Sequence, residues 1–135
     1  MKSKTTNLIK VTCGIIIRQR KVLVAQRSEK MRIPLKWEFP GGKIEQDETA
    51  EDCLLRELKE ELNIEGKLLQ KLPPKDHDYG TFAIRLIPFI ARYTAGDIIL
   101  TEHKDFKWVS KDELKSLDWA DADRPILDDF LKTDL

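Results

Sequence analysis

The sequence predicts an α/β fold, with helices packed on one mixed sheet. Three observations carry the expectation. β-branched apolar runs open the chain, one amphipathic helix follows, and further strand material precedes short helices at the end, so the order is strands, helix, strands, helices. At 135 residues the chain has the length of one ordinary domain, able to bury a core without disulfides or a structural metal. Residues 1–135 are therefore expected to form a single domain.

From Leu8 to Arg18 the run LIKVTCGIIIR is continuous and β-branched, and KVLVAQR follows at 21–27 after a polar turn, which predicts a hairpin. A polar, proline-containing loop, SEKMRIPLK, leads to the short aromatic run WEF at 37–39. PGG follows at 40–42, where two glycines after a proline allow backbone angles that other residues avoid. Thr49 is the expected N-cap of a helix with acidic residues in its first turn, and Asn63 can take the left-handed cap, ending the helix near Leu62. Measured from Arg56 at 100° per residue, Leu54, Leu58, Leu62 and Leu55 fall at about 160°, 200°, 240° and 260°, a core face. Residues 66–97 read as strands folding back at DYGT, with Pro88 marking an edge or a bulge. DFKWVS at 105–110 is another strand. Ser110 with Glu113 makes a capping box for a short helix, KDELKSL, and Asp123 starts the last helix with Pro125 in its first turn.

Lys plus Arg equals Asp plus Glu at 24 each, so no net field draws the molecule to nucleic acid or an anionic membrane, and no basic run is interleaved with aromatics. Cys13 and Cys53 match no paired-ligand spacing and are expected as buried, unbonded thiols of a reducing compartment. The start, MKSKTTNLIK, has no apolar leader run, and no apolar stretch approaches the roughly 18–20 residues needed to cross a bilayer. The expectation is a soluble, cytoplasmic protein.

The stretch RELKEELN crowds acidic residues. Arg56, Glu60, Glu57 and Glu61 fall at about 0°, 40°, 100° and 140° on the helix, one arc roughly opposite the leucines. Like charges at these spacings destabilise a helix slightly. A cation in front of the arc would account for the cost; the competing reading is the solvated face of an amphipathic helix. Mg2+ is a hard cation that takes oxygen ligands and bridges carboxylates to substrate phosphates. With a glycine-rich turn upstream and Arg56 able to orient a neighbouring carboxylate, the pattern points to metal-assisted attack by water on a phosphoanhydride.

The spacing to upstream residues resembles the Nudix hydrolases, whose signature is Gly, five residues, Glu, seven residues, then Arg-Glu-apolar-x-Glu-Glu-x-Gly-apolar. Here it reads Gly42, KIEQD, Glu48, TAEDCLL, Arg56, Glu57, Leu58, Lys59, Glu60, Glu61, Leu62, Asn63, Ile64. Asn63 stands where the family has Gly, and Asn is the next most tolerant residue of a left-handed backbone. The runs AQR, WEFPGGKIE, EHKDFKWVS and ADRPILDDF are similar to the MutT branch, which cleaves nucleoside triphosphates to monophosphate and pyrophosphate. That branch includes the sanitiser of 8-oxo-dGTP and a relative acting on CTP and modified deoxycytidine triphosphates.

The resemblance implies an α/β/α sandwich with a mixed sheet and the Nudix loop-helix motif. It also implies Mg2+, or Mn2+, as cofactor and a small nucleotide as the partner, with no nucleic acid, membrane or obligate protein partner. It assigns Glu57, Glu60 and Glu61 to the metal, with the Gly41 carbonyl and Glu102 as further ligands. Glu48 would support the loop through Arg56, and Glu57 and Glu102 are both candidates for the general base. Nucleotide binding falls to Arg27, Phe39, Gly42, Lys43 and Asp123. For Arg27 the alternative is a strand-end ion pair, for Phe39 and for Trp37 beside it the core, and for Asp123 a helix N-cap. MutT-like enzymes place a base-reading Asn or Asp at 123; an ionised Asp only accepts, which suits the amino group of cytosine and also that of guanine. His77 and His103 are expected in loops, His103 near the phosphates. The leading expectation is 8-oxo-dGTP sanitisation; the alternatives are a CTP or 5-methyl-dCTP pyrophosphohydrolase, a nucleotide-sugar hydrolase, and a non-catalytic nucleotide-sensing module.

Overall fold

The first hairpin closes at one end and opens at the other. In the computed structural model, which describes residues 7–135, β1 (Asn7–Arg18) turns into β2 (Lys21–Gln26) through Gln19 and Arg20, both with positive φ, at 51° and 66°. That geometry matches the twist of paired strands. The polar start, 1–6, read above as lacking an apolar leader run, lies outside the described residues. β1 and β2 pair only at Ile17↔Val22 and Arg18↔Lys21, and their backbone groups beyond that point need other partners. The segment after the proline loop supplies them. β3 (Trp37–Glu38) pairs with β2, β4 (Gly41–Lys43) pairs with β1, and the Gly14 N–H donates to the Pro40 carbonyl at 2.8 Å between them.

α1 (Ala50–Leu62) has the expected caps. Thr49 Oγ1 accepts the Asp52 N–H at 3.0 Å, and Asn63, at φ 60° and ψ 36°, turns its N–H back to the Leu58 and Lys59 carbonyls. Leu54, Leu58 and Leu62 are buried, but Leu55 is 39% exposed, a departure from the expected core face. It lies about 20° past Leu62, beyond the sheet's cover. Cys53, at about 60° within the acidic arc, is buried because β4 covers it, its thiol 3.2 Å from the Lys43 carbonyl.

β5 (Glu65–Lys71), β6 (Lys75–Asp78) and β7 (Phe82–Ala95) follow, then β8 (Asp105–Ser110). The eight-stranded sheet runs β3-β2-β1-β7-β5, with β4 on β1, β6 on β7 and β8 on β2. β1 and β7 are parallel and every other pair is antiparallel, so the sheet is mixed. Pro88 is not on an edge strand. β7 is flanked by β1 on one side and by β5 and then β6 on the other, and the Leu72 N–H donates to the Pro88 carbonyl at 3.0 Å. The proline nitrogen therefore faces the handover from β5 to β6, where a missing donor is least costly.

Residue alternation divides the core. Ile15, Val22, Val24 and Ile90 pack with Trp119, Ile126 and Phe130, while Ile16, Leu23, Phe89 and Ala91 pack with the α1 leucines. α1 and α2 (Arg124–Leu131) thus cover opposite faces of the sheet, an α/β/α layering. The segment Lys111–Ser116 is a 3-10 turn and not an α-helix, with the Ser110 N–H bonded to the Glu113 carboxylate at 2.9 Å. Cys13 and Cys53 are both free and buried. No helix among the described residues is long and apolar enough to cross a membrane.

Asn63→Ala should lower the unfolding free energy by about 1–2 kcal/mol in urea titration, because alanine lacks the short polar side chain that lets Asn tolerate the left-handed cap. Asn63→Gly should lose less. Equal losses would trace the effect to the lost bond from the Asn63 amide to the Asp97 carbonyl.

Candidate active site

The splayed end of the β1–β2 hairpin opens into a cleft of about 800 Å³ lined by residues from β1, β3, β4, α1, the loop before β8 and the turn before α2. Glu57, Glu61, Glu102, Gly41, Gly42 and Lys43 line it, together with Arg27, Phe39 and Asp123. Arg27 and Asp123, 96 positions apart in sequence, thus share one cavity.

β4 lies directly on the acidic face of α1. A Cβ at Gly42 would fall 2.2 Å from Glu57 Cδ, and one at Gly41 would fall 1.9 Å from the Thr12 carbonyl oxygen. Only glycine permits both approaches. Arg56 fastens the loop to the helix: Nε and Nη2 donate to the two oxygens of Glu48 at 2.7 and 3.0 Å, Nη2 also to the Lys43 carbonyl at 3.2 Å, and Nη1 to Glu57 and Glu60 at 3.1 and 3.0 Å. The Arg56 guanidinium, with the Glu45 N–H, holds the Glu48 carboxyl down at about 2.

Glu57 and Glu61 differ in kind from Glu48. Burial pushes both carboxyls above their ordinary range, Arg56 partly offsetting this at Glu57, while Glu102 adds repulsion at Glu61. Glu61 Oε2 is buried with no hydrogen-bond partner among the described residues. A hard divalent cation would supply the missing partner and relieve the repulsion, so the donor set fits one. Among the described residues no three acidic, histidine or cysteine side chains close around one point; Mg2+, which usually keeps several waters, needs no such cage. Glu60 is not in the cleft. Its side chain is 58% exposed and pairs with Arg56 at the rim.

The second group of residues surrounds Asp123. The turn before α2 is bonded to β3, the Trp37 N–H donating to the Asp118 carbonyl at 2.8 Å and the Ala120 N–H to the Trp37 carbonyl at 2.9 Å. This aims Asp123 inward. Its Oδ2 accepts the Phe39 N–H at 2.8 Å, it makes no cap bond to α2, and it is 5% exposed. Asp123 thus holds the N-cap position of α2, as expected, but its side chain does not cap the helix. Burial, with Glu38 nearby, pushes the Asp123 carboxyl well above the carboxylate range. It is thus biased toward the neutral acid, which offers a donor as well as an acceptor, as Asn does.

Arg27 both lines the cleft and forms the ion pair weighed against that role, with Glu38 at 2.8 Å. Phe39 both walls the cleft and packs on Trp119 with ring centroids 4.7 Å apart. Trp37 is core and does not reach the cleft. His77 is on β6 against Tyr79 and not in a loop. His103 is in a loop but buried, with Nε2 2.8 Å from Glu38 Oε2. Sequence reasoning missed Glu38 and Tyr79, which also line the cleft. A charge between two aromatics in WEF was the only hint of the first; nothing marked the second.

The profile of the NUDIX domain matches residues 8–130. This chain belongs to the Nudix hydrolases. It is 34% identical to the CTP pyrophosphohydrolase of Escherichia coli K12 over 92% of both chains. It is 35% identical to a putative 8-oxo-dGTP diphosphatase 2 of Mycobacterium tuberculosis over 91% of this chain and 88% of that one. Its fold superimposes with a TM-score of 0.77 on the MutT Nudix hydrolase of methicillin-resistant Staphylococcus aureus, at 40% identity over 94% of this chain and 98% of that one. Nudix hydrolases cleave phosphoanhydride bonds and generally use divalent metals.

Two outcomes follow from this geometry. In Gly42→Ala the added carbon displaces the end of the flexible Glu57 side chain and not backbone, so the melting temperature should barely move while phosphoanhydride hydrolysis falls roughly tenfold or more. Unchanged turnover would show that the Glu57 position does not matter. For Asp123 the raised native pKa means that above about 3.8 the unfolded chain releases a proton that the native state keeps, so stability declines with rising pH across that window. Asp123→Asn lacks this penalty, and its gain in melting temperature over the wild type should grow as the pH rises above about 4. A constant difference would contradict a buried acid.

Proposed function

We propose that this Nudix hydrolase is a Mg2+-dependent nucleoside triphosphate pyrophosphohydrolase, converting substrate and water to nucleoside monophosphate and pyrophosphate, with 8-oxo-dGTP as principal substrate. The observation that carries the reading is one cleft shared by the acidic face of α1 and a buried Asp123. The first group suits a phosphate chain and its cation, the second a base.

Glu57, Glu61, Glu102 and the Gly41 carbonyl are the oxygen donors we assign to the metal, and Glu60, bound to Arg56 at the rim, would join them only by turning inward. When bound, Mg2+ would neutralise the phosphates and polarise the phosphoryl group under attack. Glu48 and Arg56 keep the loop and helix in register. Gly42 and Lys43 face the phosphate chain, and Glu57 or Glu102 accepts the proton of the attacking water. Arg27 and Phe39 bound the base. A protonated Asp123, toward which its burial biases it, would donate to a purine carbonyl, so an aspartate there is not restricted to accepting. The work of such an enzyme is to clear damaged nucleotides from the cytoplasmic pool.

A second reading rests on the same residue. Ionised Asp123 would accept from the exocyclic amino group of cytosine, and a relative at 34% identity is a CTP pyrophosphohydrolase. A sensing module is disfavoured because every carboxylate of the signature is present.

Glu57→Gln, assayed with Mg2+ and 8-oxo-dGTP, should lose roughly a hundredfold or more in kcat with the fold intact by circular dichroism. Full activity would remove the mechanism.

A further inference from the structure

We propose that His103 is a positioning residue for Glu102, working through a buried chain of contacts with Glu38 and Arg27. The inference rests on the reading above, in which Glu102 belongs to the metal end of the cleft.

Glu102 lies in an irregular segment and faces a cluster of its own charge. Glu61 and Glu102 repel each other, and an unrestrained loop carboxylate would turn to solvent. The segment is clasped on both sides. Before it, the Ile99 and Thr101 N–H groups donate to the Leu62 and Glu61 carbonyls at 3.0 and 3.2 Å, and Thr101 Oγ1 to the Glu60 carbonyl at 3.0 Å. These are carbonyls that the end of α1 leaves without intrahelical partners. After it, the Lys104 N–H donates to the Gln26 carbonyl of β2 at 2.9 Å.

Between these clasps His103 is buried, while Glu102 is exposed at the mouth of the cleft. Its Nε2 is 2.8 Å from Glu38 Oε2, while its Nδ1 is buried with no hydrogen-bond partner among the described residues, so Glu38 is the hydrogen-bonding group that orients the ring. Glu38 is itself fixed, because Oε1 takes Arg27 Nη1 at 2.8 Å and Arg27 Nε donates to the Arg32 carbonyl at 2.6 Å. The side chains of Arg27, Glu38 and His103 are 20%, 16% and 5% exposed, which shields the chain from the screening that weakens surface pairs. It runs from the nucleotide side of the cleft to the residue beside Glu102. Nothing in it requires His103 to touch the reacting atoms.

The test measures kcat and KM with Mg2+ and 8-oxo-dGTP, with dCTP alongside, for the wild type, Glu102→Gln, His103→Gln, His103→Asn, Glu38→Gln and the double variant Glu102→Gln/His103→Asn. Gln can place an amide nitrogen near the Nε2 position; the shorter Asn cannot. His103→Gln should stay within about threefold of the wild type, whereas His103→Asn and Glu38→Gln should lose roughly tenfold to a hundredfold in kcat with KM little changed. The double variant should be no slower than Glu102→Gln alone. A His103→Asn loss that adds in full to Glu102→Gln, a loss confined to KM, or equal kcat for His103→Gln and His103→Asn would overturn the inference. Should His103→Asn fail to fold, Glu38→Gln and His103→Gln still decide it. Full activity in Glu102→Gln, or no turnover of either nucleotide by the wild type, would instead overturn the underlying reading of the site.

Discussion

One guanidinium holds the polar side of the cleft together. Arg56 lies within 4 Å of carboxylates from Glu45, Glu48, Glu57 and Glu60 and also takes the Lys43 carbonyl, so it ties the glycine-rich loop to the helix through a two-pronged bond with Glu48. Two like charges 5 Å apart repel by roughly 3 kcal/mol at an effective dielectric of 20, several times what a favourable exposed helix pair returns. One positive charge among four negative ones cannot balance the cluster, and Glu61 and Glu102 add to it. The surplus is what makes a divalent cation the natural complement of this surface.

The same loop serves both faces of the sheet. Because β1 and β2 separate after two paired registers, residues 37–43 can run between them. Within that short segment the Phe39 N–H reaches Asp123 on the α2 side while Gly42 lies against Glu57 on the α1 side. The residues we assign to the base and to the metal are therefore set by one stretch of backbone, and displacement of that stretch would disturb both.

Most of the fold was legible because its determinants are local. Thr49 and Asn63 delimit α1, and the positions of Leu54, Leu58 and Leu62 state which face is buried. Leu55 was misjudged and Pro88 was left between an edge and an irregular pairing because their environments depend on where the sheet ends and where β5 hands over to β6, neither of which is a local property. The acidic face and the glycines were legible through spacing. Asp123 was ambiguous because a residue before Arg-Pro looks like a cap until its partner, 84 residues away, is seen. Glu38 and His103 were not legible as a pair for the same reason, being 65 residues apart and joined only in the folded chain.

The central claim is that this cleft cuts a nucleoside triphosphate between its α and β phosphates and reads its base through Asp123. The most direct measurement compares kcat/KM, in Mg2+, for 8-oxo-dGTP, dGTP, CTP, dCTP, 5-methyl-dCTP and ADP-ribose, with the products identified. The account predicts preference for 8-oxo-dGTP with release of pyrophosphate and the monophosphate. A preference for a cytidine nucleotide would move the protein to the second reading, and a preference for ADP-ribose, or release of orthophosphate from the triphosphates, would contradict the account.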